Sequence, residues 1–290
     1  MYYLGIDVHK RDSQIAVLDE DGEVVAENRL ENDELGDLAE AYEGSKAALE
    51  ATGNSYQIYD DLDEYLDVQV ADPRQTKAIG TAEVKNDRLD AKLLAQLCRA
   101  DMIAESYVPS TEIRELRSLA RGRKRLVEKR TDFKNEVHAL LDQQGVSYDW
   151  DPFSAAGREK LLEEELDVSP VAQQMLSSFL SIIDEFTAQI RELEELIEET
   201  AVSIEETQLL MTIPGVSFFS SLLIHAEIGE IERFDRAEEV VSYAGLDPVV
   251  KESGETRKEG GISKTGSSDL RWILVQCANV AVGTVGDPYF

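Results

Sequence analysis

The sequence predicts an α/β domain of the ribonuclease-H kind, then a helical coiled-coil hairpin, then a mostly α-helical C-terminal domain with a helix-hairpin-helix-like element. Three observations carry that expectation. Tyr2-Tyr3-Leu4-Gly5-Ile6-Asp7-Val8-His9-Lys10 is an apolar run that ends on a carboxylate and leads into further β-rich runs, which is how a ribonuclease-H-like sheet begins. Beyond Thr111 the apolar residues Leu119, Leu126, Phe133 and Leu140 recur every seven positions. Near the end, Leu209-Leu210-Met211-Thr212-Ile213-Pro214-Gly215-Val216 joins two apolar helical runs through a Pro-Gly-Val turn.

In chain order, residues 3–8, 13–19 and 23–30 read as strands, with Asp19-Glu20-Asp21-Gly22 as the turn of a β-meander. Asn32 and Asp33 offer cap oxygens to a helix running to about Ala41, and Lys46-Ala47-Ala48-Leu49-Glu50 is a short buried strand that again ends on an acid. A helix from Ser55 to Tyr65 precedes the strand Val68-Gln69-Val70-Ala71, which Asp72-Pro73 stops. A helix from Asp87 to Ala100, with Leu89, Leu93, Leu94 and Leu97 on one side, completes a first domain over residues 1–108.

Residues 109–205 are expected to form the coiled-coil region. Phe179, Ile183, Phe186, Ile190, Leu193 and Ile197 step by fours and threes, and Gly145 to Pro170 reads as a connection with a short helix, so an antiparallel hairpin follows. An intramolecular bundle and a dimerising coiled coil both satisfy the pattern. In the third domain, 206–290, Gly215 would let backbone amides at the start of the Ser217–Ile228 helix approach a phosphate. A helix through Tyr243 follows, then a loop from Lys251 to Lys258 carrying Ser253 before a glycine, then Gly261 to Gly266 and a helix containing Leu270, Arg271 and Leu274.

Composition sets the limits. With 290 residues, 42% of them hydrophobic, the chain can build real cores. No run approaches eighteen apolar residues and the N-terminus has no signal-peptide pattern, so the expectation is a cytoplasmic protein without a membrane partner. Cys98 and Cys277 sit far apart in apolar helical patterns, as buried reduced thiols do. The 59 acids against 29 bases give a net charge of −30 spread along the whole chain. At molar salt, where the Debye length is about 3 Å, such a surface ceases to repel itself, and it is read as halophilic. Composition alone favours another reading, an acidic protein that avoids nucleic acid, since phosphate affinity comes from Lys and Arg. Nine of the bases, however, lie between Arg114 and Lys134: Arg114, Arg117, Arg121, Arg123, Lys124, Arg125, Lys129, Arg130 and Lys134. They read as a phosphate-binding face, or as a solvated mixed-charge helix in which Glu112, Glu115, Glu128 and Glu136 pair with them.

Asp7 and Glu50 end two apolar strands, where a surface charge has little reason to be, and Asp87 and Asp90 stand three apart on one helical face. Four such carboxylates, brought together, suit two Mg²⁺ ions about 3.5–4 Å apart acting on a scissile phosphate. A sugar-kinase or actin-like ATPase also begins with a strand and an Asp, but its glycine-rich phosphate hairpin is missing, since no glycine stands between Asp7 and Gly22. His9, His138 and His225 show no metal-ligand spacing and read as structural or surface residues. No Ser-His-Asp hydrolase elbow is visible.

Gly5-Ile6-Asp7-Val8-His9-Lys10, Leu49-Glu50-Ala51-Thr52-Gly53, Asp72-Pro73, Lys85-Asn86-Asp87-Arg88-Leu89-Asp90-Ala91, Ile213-Pro214-Gly215-Val216, Tyr243-Ala244-Gly245-Leu246, Ser253-Gly254 and Gly261-Ile262-Ser263-Lys264-Thr265-Gly266 follow one another in a telling order. Together they resemble the DEDD transposases of the insertion-sequence one-ten family, relatives of the Piv and MooV invertases. The resemblance implies a RuvC-like domain with Asp7, Glu50, Asp87 and Asp90 as a metal-binding catalytic tetrad, and Ser253 as the nucleophile that forms a covalent phosphoserine with DNA. It also implies a structured noncoding RNA as guide, with Lys264 and Arg271 as phosphate contacts, and the whole is expected to act as a homo-oligomer, a dimer or tetramer. Members of that family usually continue past Asp287-Pro288-Tyr289-Phe290 with further helices, so an incomplete C-terminal domain is expected. Two other functions stay open: a RuvC-like, structure-selective nuclease without a covalent intermediate, and an inactive nucleic-acid-binding remnant.

Overall fold

The computed structural model describes residues 1–50, 53, 55–72, 87–162, 166–253 and 256–285, with the backbone alone for 87, 88, 250–253, 256–259, 284 and 285. The chain divides into two compact units, Met1–Val108 and Pro109–Phe290. No helix among the described residues is long and apolar enough to cross a membrane.

The first unit is built on a mixed sheet, consistent with a ribonuclease-H-like α/β domain. Its strands are β1 (Tyr3–Val8), β2 (Asp12–Leu18), β3 (Val24–Glu31), β4 (Lys46–Glu50) and β5 (Asp67–Ala71), in the order β3-β2-β1-β4-β5. The meander β1-β2-β3 is antiparallel, whereas β4 and β5 join β1 in parallel. Parallel pairs need crossovers, and α1 (Leu35–Ala41) and α2 (Ser55–Asp63) supply helices for them. Leu4, Ile6 and Val8 alternate onto the face covered by Leu35 and Ala39 of α1 and Ile58 and Leu62 of α2. The opposite face carries α3 (Asp87–Arg99), through Ala48, Ala71, Leu94 and Cys98. Asn32 does not act as the expected helix cap. Its amide donates to the carbonyl of His9 (3.0 Å) and its oxygen accepts from Ser13 Oγ (2.8 Å), tying the β1–β2 turn to the end of β3.

Gly5 fixes how α3 lies. A Cβ at that position would stand 1.9 Å from the carbonyl oxygen of Ala91 and 2.4 Å from the amide nitrogen of Ala95, so helix backbone rests directly on strand backbone.

In the second unit α4 (Thr111–Gln143) and α6 (Pro170–Ser203) lie antiparallel. Leu140 and Leu141 meet Leu176 and Leu180 at one end, and Ile113 and Leu116 meet Ile197 and Ala201 at the other. Phe133 packs between Phe179 and Phe186 at 5.8 and 5.9 Å. Ser110 and Ser169 cap the two helices by accepting from Ile113 N and Ala172 N. The short α5 (Ala155–Leu162) closes the far end through Leu161. The remainder comprises α7 (Glu205–Met211), α8 (Phe218–Ile228), α9 (Ala237–Tyr243), the hairpin β6 (Pro248–Ser253) and β7 (Thr256–Ile262), and α10 (Ser268–Val285). The segment expected as a loop from Lys251 to Lys258 thus contains strand. Ser253 pairs with Thr256 across a two-residue connection, a spacing typical of hairpins. Both cysteines are buried and free, and burial pushes the Cys98 thiol up to about 11.

Between α7 and α8 Gly215 has φ +87°, as the turn demands, but its open side is not presented to a ligand. A Cβ there would meet the Cys277 carbonyl oxygen at 2.5 Å and the Ala281 nitrogen at 2.9 Å, because α10 already occupies that space. At the start of α8, Ser217 N donates to Ser220 Oγ (2.6 Å) and Ser220 N to Ser217 Oγ (3.4 Å), so the protein caps this end itself. Gly215 therefore serves close packing of α10 on this turn.

Gly5→Ala tests the packing of the first unit. Forcing a methyl group against backbone that cannot rotate away is expected to destabilise it by about 3 kcal/mol. Thermal unfolding of the whole chain in molar salt should show a transition lowered by several degrees; an unchanged transition means that α3 does not press on β1.

Candidate functional site

The close contact at Gly5 determines which end of α3 lies near Asp7. Arg99, at the C-terminus of α3, donates to the Glu20 carbonyl (3.2 Å) just beyond Leu18, the partner of Tyr3, whereas Gly5 meets Ala91 and Ala95, so α3 runs antiparallel to β1. Two strand residues from Gly5 to Asp7 advance about 6.6 Å. Four helical residues back from Ala91 to Asp87 advance about 6 Å the same way. Side chains alternate along a strand, so Asp7 shares the α3 face with Gly5, and Glu50 shares it with Ala48. Asp7 is only 8% exposed, a low value for an ionisable group at a strand end, and Glu50 and Asp90 are half-buried. The side chain of Asp87 lies outside the described residues. Among the described residues, no three His, Cys, Asp or Glu side chains stand close enough to share a metal ion. The donor chemistry nonetheless suits a hard divalent cation, since all four candidates are carboxylates and Cys98, buried in the core under α3, is too soft to compete.

His9, read from sequence as structural or surface, stands beside this group. Its Nε2 lies 3.7 Å from Asp7 Oδ2. The turn that presents it is fixed, because His9 N donates to the Asp12 carbonyl (3.0 Å) while Asn32 holds the His9 carbonyl. The signal was available in the i, i+2 spacing from Asp7, which puts both residues on one side of an extended chain.

Ser253 belongs to the second unit, as the last residue of β6 at the tip of the β6–β7 hairpin; its side chain and Gly254 lie outside the described residues. The base of that hairpin is locked. Ser263 N donates to the Asp247 carbonyl (2.9 Å), Lys264 N to the Gly245 carbonyl (3.0 Å), and Ser267 N to the Tyr243 carbonyl (2.8 Å). Arg271 Nη1 donates to the Ala244 carbonyl (2.9 Å), capping the end of α9. Gly266 permits this interlock, since a Cβ on it would fall 1.7 Å from the Tyr243 carbonyl oxygen. Arg271 is thereby engaged in holding the hairpin base, while Lys264 remains exposed at φ +57°.

Two family models match the chain. One, described as transposase of the DEDD IS110 type, covers residues 4–145, and the other, described as the transposase IS116/IS110/IS902 family, covers residues 207–290. The chain belongs to this family of DNA transposases. Its relatives include the transposase for insertion sequence element IS1111A of Coxiella burnetii, 26% identical over 284 residues that span 95% of this chain and 76% of that protein. A probable family 20 transposase of Pseudomonas aeruginosa is 26% identical over 288 residues, or 96% of this chain and 83% of the relative. The transposase for element IS1328 of Yersinia enterocolitica is 25% identical over 281 residues, with the same two shares of 96% and 83%.

In the transposase the basic cluster of α4 is largely spent on the protein itself. Arg117 donates to the carbonyls of Ala226 (2.6 Å) and Glu227 (3.0 Å), satisfying the end of α8. Arg121 grips the Glu227 carboxylate with two hydrogen bonds of 2.7 and 2.9 Å, and Glu227, only 1% exposed, also accepts from Ser267 Oγ at 2.8 Å. Arg123 binds Glu194 and covers the Phe219 ring at 4.3 Å, while Lys124 reaches Asp269 at 3.0 Å and Glu128 at 2.9 Å. Arg114 donates to Thr111 Oγ1 (2.9 Å), Arg130 to Thr187 Oγ1 (3.5 Å), and Lys129 pairs with Asp132 (3.1 Å). In a chain with twice as many acids as bases, most of these cations bridge helices. Arg125 and Lys129 stay on the exposed side.

Glu227 is the residue that the sequence reading passed over. A lone acid in the apolar run Ser221-Leu222-Leu223-Ile224-His225-Ala226-Glu227-Ile228 was the available signal. Glu227→Ala is expected to cost about 2–3 kcal/mol, below the range for a fully buried pair because Arg121 is part-exposed and keeps Asp269 at 3.5 Å. Denaturant titration measures it, and a loss under 0.5 kcal/mol would mean the pair does not hold α4, α8 and α10 together.

Proposed function

We propose that this transposase cuts and rejoins DNA through a serine nucleophile acting with an acidic tetrad, guided by a structured RNA. The observation that supports the reading is the backbone contact of α3 with β1 at Gly5, which turns the Asp87–Asp90 end of the helix towards the strand end that carries a buried Asp7. Asp7, Glu50, Asp87 and Asp90 would hold two Mg²⁺ ions, whose chemistry is to polarise the phosphate and offset charge on the attacking and departing oxygens. The domain in front is RuvC-like, and the helical hairpin joins copies of the chain into a homo-oligomer. Half-buried apolar residues at heptad positions, Leu126 on α4 and Leu193 on α6, support that assembly.

In the covalent step Ser253 Oγ loses its proton and forms an ester bond to phosphorus. The bond from phosphorus to one deoxyribose oxygen breaks, and that oxygen leaves with the electron pair and takes up a proton. The phosphoester energy is kept for rejoining. Arg125, Lys129 and Lys264 would contact phosphate. The surface works in the cytoplasm at high salt, where a net charge of −30 is screened.

The test is denaturing electrophoresis of labelled element-end DNA incubated with the protein, Mg²⁺ and the element's RNA. A covalent protein–DNA species should form with the native chain, disappear with Asp7→Asn by at least a hundredfold in rate, as expected on losing a group that acts in the transition state, and disappear with Ser253→Ala. Cleavage that survives Ser253→Ala but not Asp7→Asn makes the protein a hydrolytic nuclease instead.

A further inference from the structure

A groove of about 470 Å³ opens on the second unit, far in chemistry from anything a nucleic acid would bind. Its walls come from the start of α4, the junction of α6 and α7, and the end of α8. Ile113, Ile204, Leu210 and Ile228 make it apolar. Its rim exposes two large aliphatic side chains, Leu209 at 70% and Ile231 at 48%. Exposed aliphatic surface is costly at the salt concentrations for which this composition is suited, because salting-out ions strengthen the drive to bury it. Glu112, Glu206, Glu230 and Glu232 stand around it, Glu230 within reach of the Arg233 charge, and among the described residues neither Lys nor Arg lines it. His225 also faces the groove, and burial holds its pKa below the ordinary histidine range, so at neutral pH it adds no positive charge to oppose a cation.

From this pairing of an apolar trough with a carboxylate rim we infer that the groove docks a basic amphipathic helix of a partner protein, its aliphatic residues seated on Ile113, Leu210 and Ile228 and its Lys or Arg side chains on the glutamates. Four carboxylates repel a nucleic-acid backbone. A second copy of a chain this acidic is a poor match, since most of its α4 bases are already engaged. At molar salt, charges act over only about 3 Å, so the ion pairs select the partner at contact while the aliphatic side chains supply the affinity. The transposase thus carries a protein-docking site separate in chemistry from its nucleic-acid site.

The probe is a fluorescently labelled fourteen-residue helical peptide with Leu at i, i+3, i+7 and i+10 and Arg on the flanks. Its controls replace Leu by Ser or Arg by Glu. Fluorescence anisotropy with the full chain at about 0.2 M and about 2 M KCl should give saturable binding of the Leu/Arg peptide at both. Both controls should bind at least tenfold more weakly, as expected for losing one or two buried aliphatic side chains or their flanking ion pairs. Leu209→Ser and Ile231→Ser, exposed positions whose unfolding midpoints should match the native chain, are expected to weaken binding about tenfold, and Glu206→Gln with Glu112→Gln to remove the preference for Arg over Glu. Equal binding of the Ser-substituted peptide, or no effect of the Leu209 and Ile231 variants, would overturn the inference. So would sedimentation showing that Leu209→Ser converts a dimer to a monomer, because the groove would then belong to a second copy.

Discussion

The first unit depends on one contact that has no side chain in it. Gly5 lets the backbone of α3 settle onto the central strand, and the helix can approach so closely only because Ala91 and Ala95 are small as well. Any Cβ at position 5 would push the helix outwards and move its N-terminal turn relative to Asp7. The apolar face of α3 fixes that it packs on the sheet, while the glycine fixes how near and at which register. A rigid backbone-to-backbone contact holds the position of neighbouring side chains better than one that rests on rotatable groups.

A related economy governs the charges. With 59 acids and 29 bases, each cation has several carboxylates to choose from, and the cations of α4 are used where desolvation makes the choice matter most. Arg121 with Glu227 and Arg117 with the last carbonyls of α8 lie inward, where an unpaired group would be expensive. Ser267 joins the same carboxylate while its hydroxyl also accepts from Leu270 N at 3.2 Å, so α4, α8 and α10 meet at one buried acid. That arrangement leaves few of the cluster's cations, Arg125 and Lys129 among them, on the exposed side.

The segments 243–247 and 261–267 share a further task. Read as motifs, they mark a family; in the structure they are two halves of a clasp made mainly of backbone hydrogen bonds, closed by Gly266 and capped by Arg271. The hairpin that carries Ser253 rises from this clasp. A residue at a hairpin tip gains reach, and a fixed base limits how far that tip can wander.

Much of this was legible in the chain itself. Alternation and turn residues gave the meander, periodicity gave the long helices, and apolar strands ending on Asp7 and Glu50 marked out unusual acids, because each of these signals is local and depends on residues a few positions apart. Local signals also leave partners out. The protein partners of the nine clustered bases lie as much as about a hundred residues away, and the helix that packs on Gly215 is α10, far along the chain. The Lys251–Lys258 stretch looked like a loop because it is polar, yet a hairpin needs only cross-strand partners. Sequence by itself determined the elements, the family and the candidate chemistry. Tertiary structure decided which charges face inward, which glycines serve packing, and towards which end of the sheet α3 carries its acids, since those depend on distances between segments that no local pattern encodes.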